Sequence, residues 1–201
     1  MNIGINCRVL NERQGGPFRY TLNLIKELTL LDQKNIYRLF LKENFSFPFD
    51  LPANFQPVIL QTKSKILFDY FLIPACFRKY AVDYFIFPKN TFGFFVKGKK
   101  IPVFHDIIYY EKHLKFREFK FFDNLHHKIM IRYAKRRSFI NFTVSAFTAE
   151  RMKILLNISP KDIKIVKCGV EPSFRVIDNK EMKEKLIKRL NLNLPFLFYS
   201  G

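Results

Sequence analysis

Two short stretches carry residue types that do chemistry. In "VFHDIIYYEKH", His105 and Asp106 follow an apolar run, which puts an imidazole and a carboxylate at the end of an expected strand. The imidazole can donate to a hydroxyl or to a developing charge, and the carboxylate can orient it or cap the segment that follows. The same pair also suits a satisfied histidine at a strand terminus followed by a turn-forming aspartate. In "NERQGGPFRY", Gly15 and Gly16 are the only adjacent glycines in the chain. Such a pair permits positive φ and close backbone approach, so N–H groups at the start of a helix can take a phosphate there. A plain turn uses the same residues.

These residues need elements to hold them, and apolar spacing supplies candidates. Asn2 to Cys7 reads as a buried strand and Pro17 to Leu31 as a helix, with Phe18, Leu22, Ile25, Leu28 and Leu31 recurring every three or four positions. Pro17 suits a first helical turn, where its missing N–H costs nothing. Further strands are predicted at 36–41, 57–60, 84–87, 101–105, 139–144 and 163–167. Helices are predicted at 66–80, at 122–137 with Phe122, Leu125, Ile129 and Tyr133 on one face, and at 147–156. Apolar strands alternating with amphipathic helices predict a doubly wound α/β domain, Rossmann-like, with a mostly parallel sheet covered on both faces. Ligands of such sheets sit at the carboxyl ends of the strands. Three segments fall there: 13–17, 88–93 and 105–108.

Composition narrows the class of protein. With 201 residues, 48% of them hydrophobic, the chain is expected to fold as one sizeable domain and the start of another. No apolar run is long enough to span a bilayer and no secretory signal opens the chain, so a cytoplasmic location is expected. Cys7, Cys76 and Cys168 are odd in number and widely spaced, which predicts buried thiols rather than disulfides. No metal site is expected from the four histidines. The pattern G-x-G-x-x-G is absent, and Glu43 is the one acidic residue near the end of the second strand, which disfavours a nicotinamide enzyme. The formal net charge of +18 favours acidic partners, either nucleic acid or anionic lipid or phosphorylated small molecules, and codon bias explains it as readily.

Taken in order, the segments resemble the N-terminal half of a family 4 glycosyltransferase of the GT-B fold. "GGPFRYTLNLIKEL" is similar to the family's G-G-[IV]-x-R-Y-x-x-x-L-x-x-x-L segment, and "VDYFIFPKNT" to its strand and loop ending in proline and small polar residues. "PVFHDIIYY" resembles its V-x-x-x-H-D-[LI] strand, "FTVSAFTAERM" its V-S-x-F-[TS] turn, "IKIVKCGVEPSF" its I-x-V-x-x-N-G-V-D-x-x-F linker, and "PFLFYSG" the strand opening its C-terminal domain. Pro17 and Cys168 depart from the pattern, the first replacing a small or branched residue and the second an asparagine.

The resemblance implies retaining sugar transfer from a nucleotide-sugar donor, a co-substrate rather than a cofactor, to a saccharide or lipid-linked acceptor in polysaccharide or lipopolysaccharide assembly. It also implies no metal. Gly15 and Gly16 would let the loop approach the donor diphosphate or the acceptor. His105 would bond the transferred sugar, Asp106 would support His105, and Arg19 would lie on the first helix near the cleft. Pro88, Asn90 and Ser145 would complete the substrate-binding set. The expected domains are 1–172, an acceptor-side Rossmann-like domain, and 173–201, a linker with the first helix and strand of a second domain. The family's nucleotide-holding basic pair and E-x7-E pattern would lie beyond residue 201, so residues 1–201 alone are expected to be impaired in catalysis. Lys188 and Arg189 read as a solvated face. The basic clusters at 112–120 and 135–137 suggest peripheral attachment to an anionic membrane surface. The alternatives are a non-catalytic remnant or interaction module of glycosyltransferase ancestry and, less favoured because the Phe residues fall in core positions, a nucleic-acid-binding protein.

Overall fold

The computed structural model describes residues 1–12, 15–111, 121–170, 174–176 and 178–192, with 121–123 as backbone alone. Seven strands form one sheet: β1 (Asn2–Asn6), β2 (Ile36–Leu41), β3 (Phe55–Ile59), β4 (Tyr84–Phe87), β5 (Lys99–Phe104), β6 (Asn141–Thr143) and β7 (Ile163–Ile165). Their order is β3-β2-β1-β4-β5-β6-β7 and every pairing is parallel. This is a Rossmann-like α/β sheet. The chain winds outward from β1 to β3, then returns to pair β4 on the other side of β1, so the direction of winding reverses between β1 and β4. Pro57 is tolerated because β3 is an edge strand, where no outer neighbour needs its N–H.

Alternation along the strands feeds two cores. On β2, Tyr37, Leu39 and Leu41 join Ile5, Cys7, Leu10 and Ile25 on one face, whereas Phe40 joins Phe85, Phe87 and Phe104 on the other. The first face is covered by α1 (Gly15–Leu31), through Phe18, Leu22, Ile25 and Leu28. Leu31 does not share that burial; it is 79% exposed, because the helix ends there and overhangs its sheet. On the second face, α4 (Phe121–Arg137) buries Met130, Ile131 and Ala134. Of the expected stripe, Tyr133 packs against this core, whereas Leu125 and Ile129 are both exposed.

The expected helix at 66–80 is three joined pieces. A single turn α2 (Lys65–Leu67), capped by Ser64, leads into a π segment at Phe68–Leu72 and then α3 (Ile73–Lys79). The wide turn puts Asp69 and Phe68 against the loop after β4. The remaining helix of this unit is α5 (Ala146–Leu156), which ends at Asn157 in the left-handed conformation. Cys7 and Cys76 are buried, and burial pushes both thiols up; Cys168 is exposed, against expectation, because it lies beyond the last strand.

By backbone contacts the chain divides into two compact units, Met1–Cys168 and Gly169–Gly201. The second unit holds α6 (Lys180–Arg189), capped by the Asn179 side chain, which accepts from Met182 N at 2.9 Å. Met182, Leu186 and Leu190 are exposed along it, as are Lys188 and Arg189. The expected boundary at 172/173 and the expected strand at 196–200 lie outside the described residues. Among the described residues no helix is long and apolar enough to cross a membrane.

Candidate functional site at the carboxyl edge of the sheet

The winding reverses between the carboxyl ends of β1 and β4, with β5 beside β4, and four of the eight candidate residues follow β4 and β5: Pro88, Asn90, His105 and Asp106. From β5, His105 turns its Nε2 to the Pro88 carbonyl at 3.2 Å. A carbonyl only accepts, so Nε2 carries the proton and Nδ1 keeps the lone pair of the neutral ring. Asn90 fastens the two loops together: its Oδ1 accepts from His105 N at 3.1 Å and its Nδ2 donates to the Asp106 carbonyl at 2.9 Å. Tyr20 packs edge-on against the imidazole, with ring centroids 5.1 Å apart. That contact ties His105 to α1, the helix opened by Gly15 and Gly16.

The glycines themselves differ. Gly15 has φ +83°, a conformation that side chains rarely adopt, so the turn into α1 needs glycine there; a Cβ on Gly16 would meet nothing within 4 Å. Both glycines are exposed, as is Arg19. Asp106 takes the capping alternative: its Oδ1 accepts from Ile108 N at 3.2 Å, at the start of a 3-10 turn over Ile108–Tyr110. Ser145 is the N-cap of α5, accepting from Thr148 N at 3.0 Å while donating to the Thr148 hydroxyl at 3.0 Å. Pro88 is buried and contributes its carbonyl. His105, Asp106, Pro88, Asn90 and the α1 helix are therefore brought together, whereas the Ser145 hydroxyl is taken up by its own helix.

Residues that the sequence did not single out form an ionic cluster beside this group. Arg8 follows β1 and donates from Nη1 to Glu12 Oε1 at 2.7 Å and from Nε to Asp69, whose Oδ2 is 3.1 Å away. Lys89 follows β4 and reaches Glu12 Oε2 at 3.3 Å, and Lys65 reaches Glu12 Oε1 at 3.5 Å. Asn6 donates to Asp69 Oδ1 at 3.3 Å. Arg8 and Glu12 stand four apart directly after a strand, the one local signal that pointed here; the partners Asp69 and Lys89 come from distant parts of the chain. Burial raises the Glu12 carboxyl, but Lys89, Arg8 and Lys65 outweigh it and hold the group below its ordinary range. Burial and the neighbouring Arg8 pull the Lys89 ammonium down, against the opposing pull of Glu12 and Asp69.

Burial likewise lowers the His105 pKa; the Pro88 carbonyl and the Asp106 charge work against the shift and Lys89 reinforces it. Below the ordinary value of 6.5 the unfolded chain takes up a proton that the folded ring resists. His105 therefore contributes stability that is complete above that value and lost as pH falls through the lowered folded value. Urea unfolding of the wild type should weaken more between about pH 7 and about pH 5 than unfolding of His105→Gln, and parallel pH profiles would contradict the assignment.

A cavity of about 400 Å³ opens at the residue after His105, lined by Asp106, Ile107, Ile108, Glu111, Phe147, Thr148 and Arg151; the His105 carbonyl accepts from the Thr148 hydroxyl at 3.4 Å, and the His105 ring is not part of the lining. Arg151 holds Glu111 with two contacts of 2.6 Å, Nε to Oε1 and Nη2 to Oε2, which fixes one wall. Phe147, 73% exposed, offers a flat apolar face at the rim. The surface facing the cavity is mostly apolar, with Asp106, Thr148 and the paired Glu111 and Arg151 as its polar residues. Among the described residues no three His, Cys, Asp or Glu side chains gather as a metal site.

A seven-stranded parallel sheet with helices packed against it defines a Rossmann-like α/β domain. A solved structure with this fold is a glycosyltransferase from Rickettsia africae ESF-5, matched with a TM-score of 0.50 and 14% identity over 96% of this chain. The match covers 50% of that chain, so the present sequence spans about half its length. At that identity the likeness is one of fold. No protein-family model matches the sequence, and no curated protein does.

Proposed function

We propose that residues 1–172 are the acceptor-side domain of a retaining, nucleotide-sugar-dependent glycosyltransferase of family 4 and the GT-B fold, and that 173–201 begin the nucleotide-binding domain. The observation that carries this reading is His105, fixed by Pro88 and Asn90 and packed against the Gly15–Gly16 helix, at the carboxyl end of β5, one strand from the reversal of winding between β1 and β4. The order of six family-like segments and the glycosyltransferase fold of the solved neighbour support it.

In this role the neutral His105 ring accepts a hydrogen bond at Nδ1 from a hydroxyl of the transferred sugar or of the acceptor. The acceptor saccharide occupies the cavity that opens at Asp106, with Phe147 against the apolar face of the sugar ring. During transfer the bond from the anomeric carbon to the diphosphate oxygen breaks, a bond to the acceptor oxygen forms, and the acceptor's hydroxyl proton passes to the departing diphosphate. Negative charge then gathers on the departing nucleoside diphosphate, where N–H groups at the start of α1 and nearby cations oppose it. Asp106 acts on His105 by its charge and by shaping the turn. The reaction belongs to polysaccharide or lipopolysaccharide assembly. Residues 1–201 by themselves should bind a saccharide acceptor yet transfer no sugar when offered nucleotide sugars, as followed by product chromatography. Transfer by residues 1–201 would overturn the division of labour, and failure to retain any saccharide would overturn the acceptor role.

We also propose that the domain sits on an anionic membrane surface. The net charge of +18 and the exposed Arg136 and Arg137 at the end of α4 support this. Lys135 takes less part than expected, because its ammonium donates to the Leu156 carbonyl; the cluster at 112–120 lies outside the described residues. Equal retention on neutral and anionic vesicles at low salt would reject the idea.

A further inference from the structure

Three cations and one carboxylate occupy the place where an α/β sheet offers its ligand site. Arg8, Lys89 and Lys65 come from the ends of β1 and β4 and from the turn α2, and among the described residues Glu12 is the carboxylate that meets all three. The fit is uneven. Arg8 lies at 2.7 Å from Oε1, within charge-assisted hydrogen-bond range, whereas Lys89 at 3.3 Å and Lys65 at 3.5 Å stand back from it. The Glu12 carboxylate thus closes on Arg8 and leaves the two lysine ammoniums at ion-pair distance, so three positive charges from three elements converge on one negative charge. The second carboxylate, Asp69, is held on the other nitrogen of the Arg8 fork by Nε and by Asn6, so it does not fill the gap. Only a third of the Glu12 side chain is exposed, and it sits on a short 3-10 turn rather than in a helix or strand.

We propose that Arg8, Lys65 and Lys89 form a seat for a phosphoryl group, and that Glu12 is its internal stand-in, displaced when the ligand binds. A phosphoryl group carries three or four oxygens and up to two charges, which matches three separated donors better than a carboxylate does. The seat lies at the reversal point of the sheet, where dinucleotides and mononucleotides bind in open α/β folds. It adjoins His105, whose ring is fixed by the carbonyl of the residue preceding Lys89. Nothing in this assignment depends on sugar transfer: a phosphorylated acceptor and a nucleoside diphosphate both present the required group.

Calorimetric titration of the full chain with metal-free inorganic pyrophosphate tests it. Glu12→Gln should bind about tenfold more tightly than the wild type at low salt, since the variant removes one competing charge within about 4 Å of the ligand. Lys89→Met added to Glu12→Gln should erase that gain, and Lys89→Met alone should weaken the wild type. Glu181→Gln, which removes an exposed carboxylate paired with Lys185 on α6, should change nothing and so separates the seat from the general basic charge. Equal affinity in Glu12→Gln and wild type, an equal gain in Glu181→Gln, or indifference to Lys89→Met would each overturn the proposal, with circular dichroism confirming that every variant is folded. Uridine diphosphate and glucose 1-phosphate, competed against pyrophosphate, distinguish the sources. Stronger competition by either supports the seat and names its ligand; competition by neither overturns it.

Discussion

Replacing Gly93 with alanine should destabilise the protein by about 3 kcal/mol, near the upper end of the cost of overpacking. A Cβ built on Gly93 lies 2.2 Å from the Asp69 carbonyl oxygen and 3.1 Å from its carbon, so the clash is with backbone. No rotamer change relieves it. Either the loop carrying Pro88 to Gly93 moves out or the π segment at Phe68–Leu72 moves away, and each displaces part of the site, because Asp69 holds Arg8 and Pro88 holds His105. The comparison is Gly16→Ala, where the new methyl meets nothing within 4 Å and the change should stay within about 0.5 kcal/mol. Urea midpoints at a common slope measure both. Equal stability in Gly93→Ala and wild type would mean that the close approach of loop and π segment is not made in solution.

The second large effect is expected at Phe85, where alanine should cost about 4 kcal/mol. Phe85 is fully buried in β4, stacked on Phe40 of β2 at 5.2 Å between ring centroids and on Phe87 at 4.6 Å. Removing the ring takes away its transfer energy and leaves a void between strands that share the β1 neighbour and cannot close over it. The consequence reaches the site, since β4 delivers Pro88, Lys89 and Asn90 to the edge. Thermal unfolding would show the loss, and amide exchange at His105, which donates to Asn90, should quicken with it. A loss below about 1.5 kcal/mol would mean that the neighbouring rings collapse into the void.

How much of this could be read beforehand depended on whether the cause was local. The strands at 36–41 and 84–87 coincide with their expected limits, because short runs bounded by polar or turn-forming residues leave little choice. The face of α4 was misread in part for a physical reason: the helix carries apolar residues on two stripes, and spacing alone does not say which one meets the sheet. Ile131 and Ala134 won, leaving Leu125 and Ile129 outside. The π segment was invisible because its residues continue the helical apolar pattern, and only the packing of Gly93 on Asp69 reveals why the turn is wide there.

The site shows the same division. His105, Pro88 and Asn90 stand just after strand ends, which the apolar runs mark in the sequence, and the structure joins them by direct hydrogen bonds. Asp106 and Ser145 have the residue types of caps as well as of ligand-binding groups, and capping is what their oxygens do. The Arg8, Glu12, Asp69 and Lys89 cluster includes a pair, Glu12 and Lys89, that stand 77 positions apart, so no short window along the chain contains it. Gly15 was marked as one of a pair, yet its positive φ is a property it does not share with Gly16.

The central claim is that a sugar-bearing ligand meets His105 at the carboxyl edge of β5. Imidazole ¹⁵N spectra of residues 1–201, titrated with saccharide acceptors and nucleotide sugars, test it most directly. The Nδ1 resonance of His105 is expected to move on saturation with a saccharide while those of His126 and His127 hold still. Saccharide binding that shifts other residues and leaves His105 unmoved would contradict this reading.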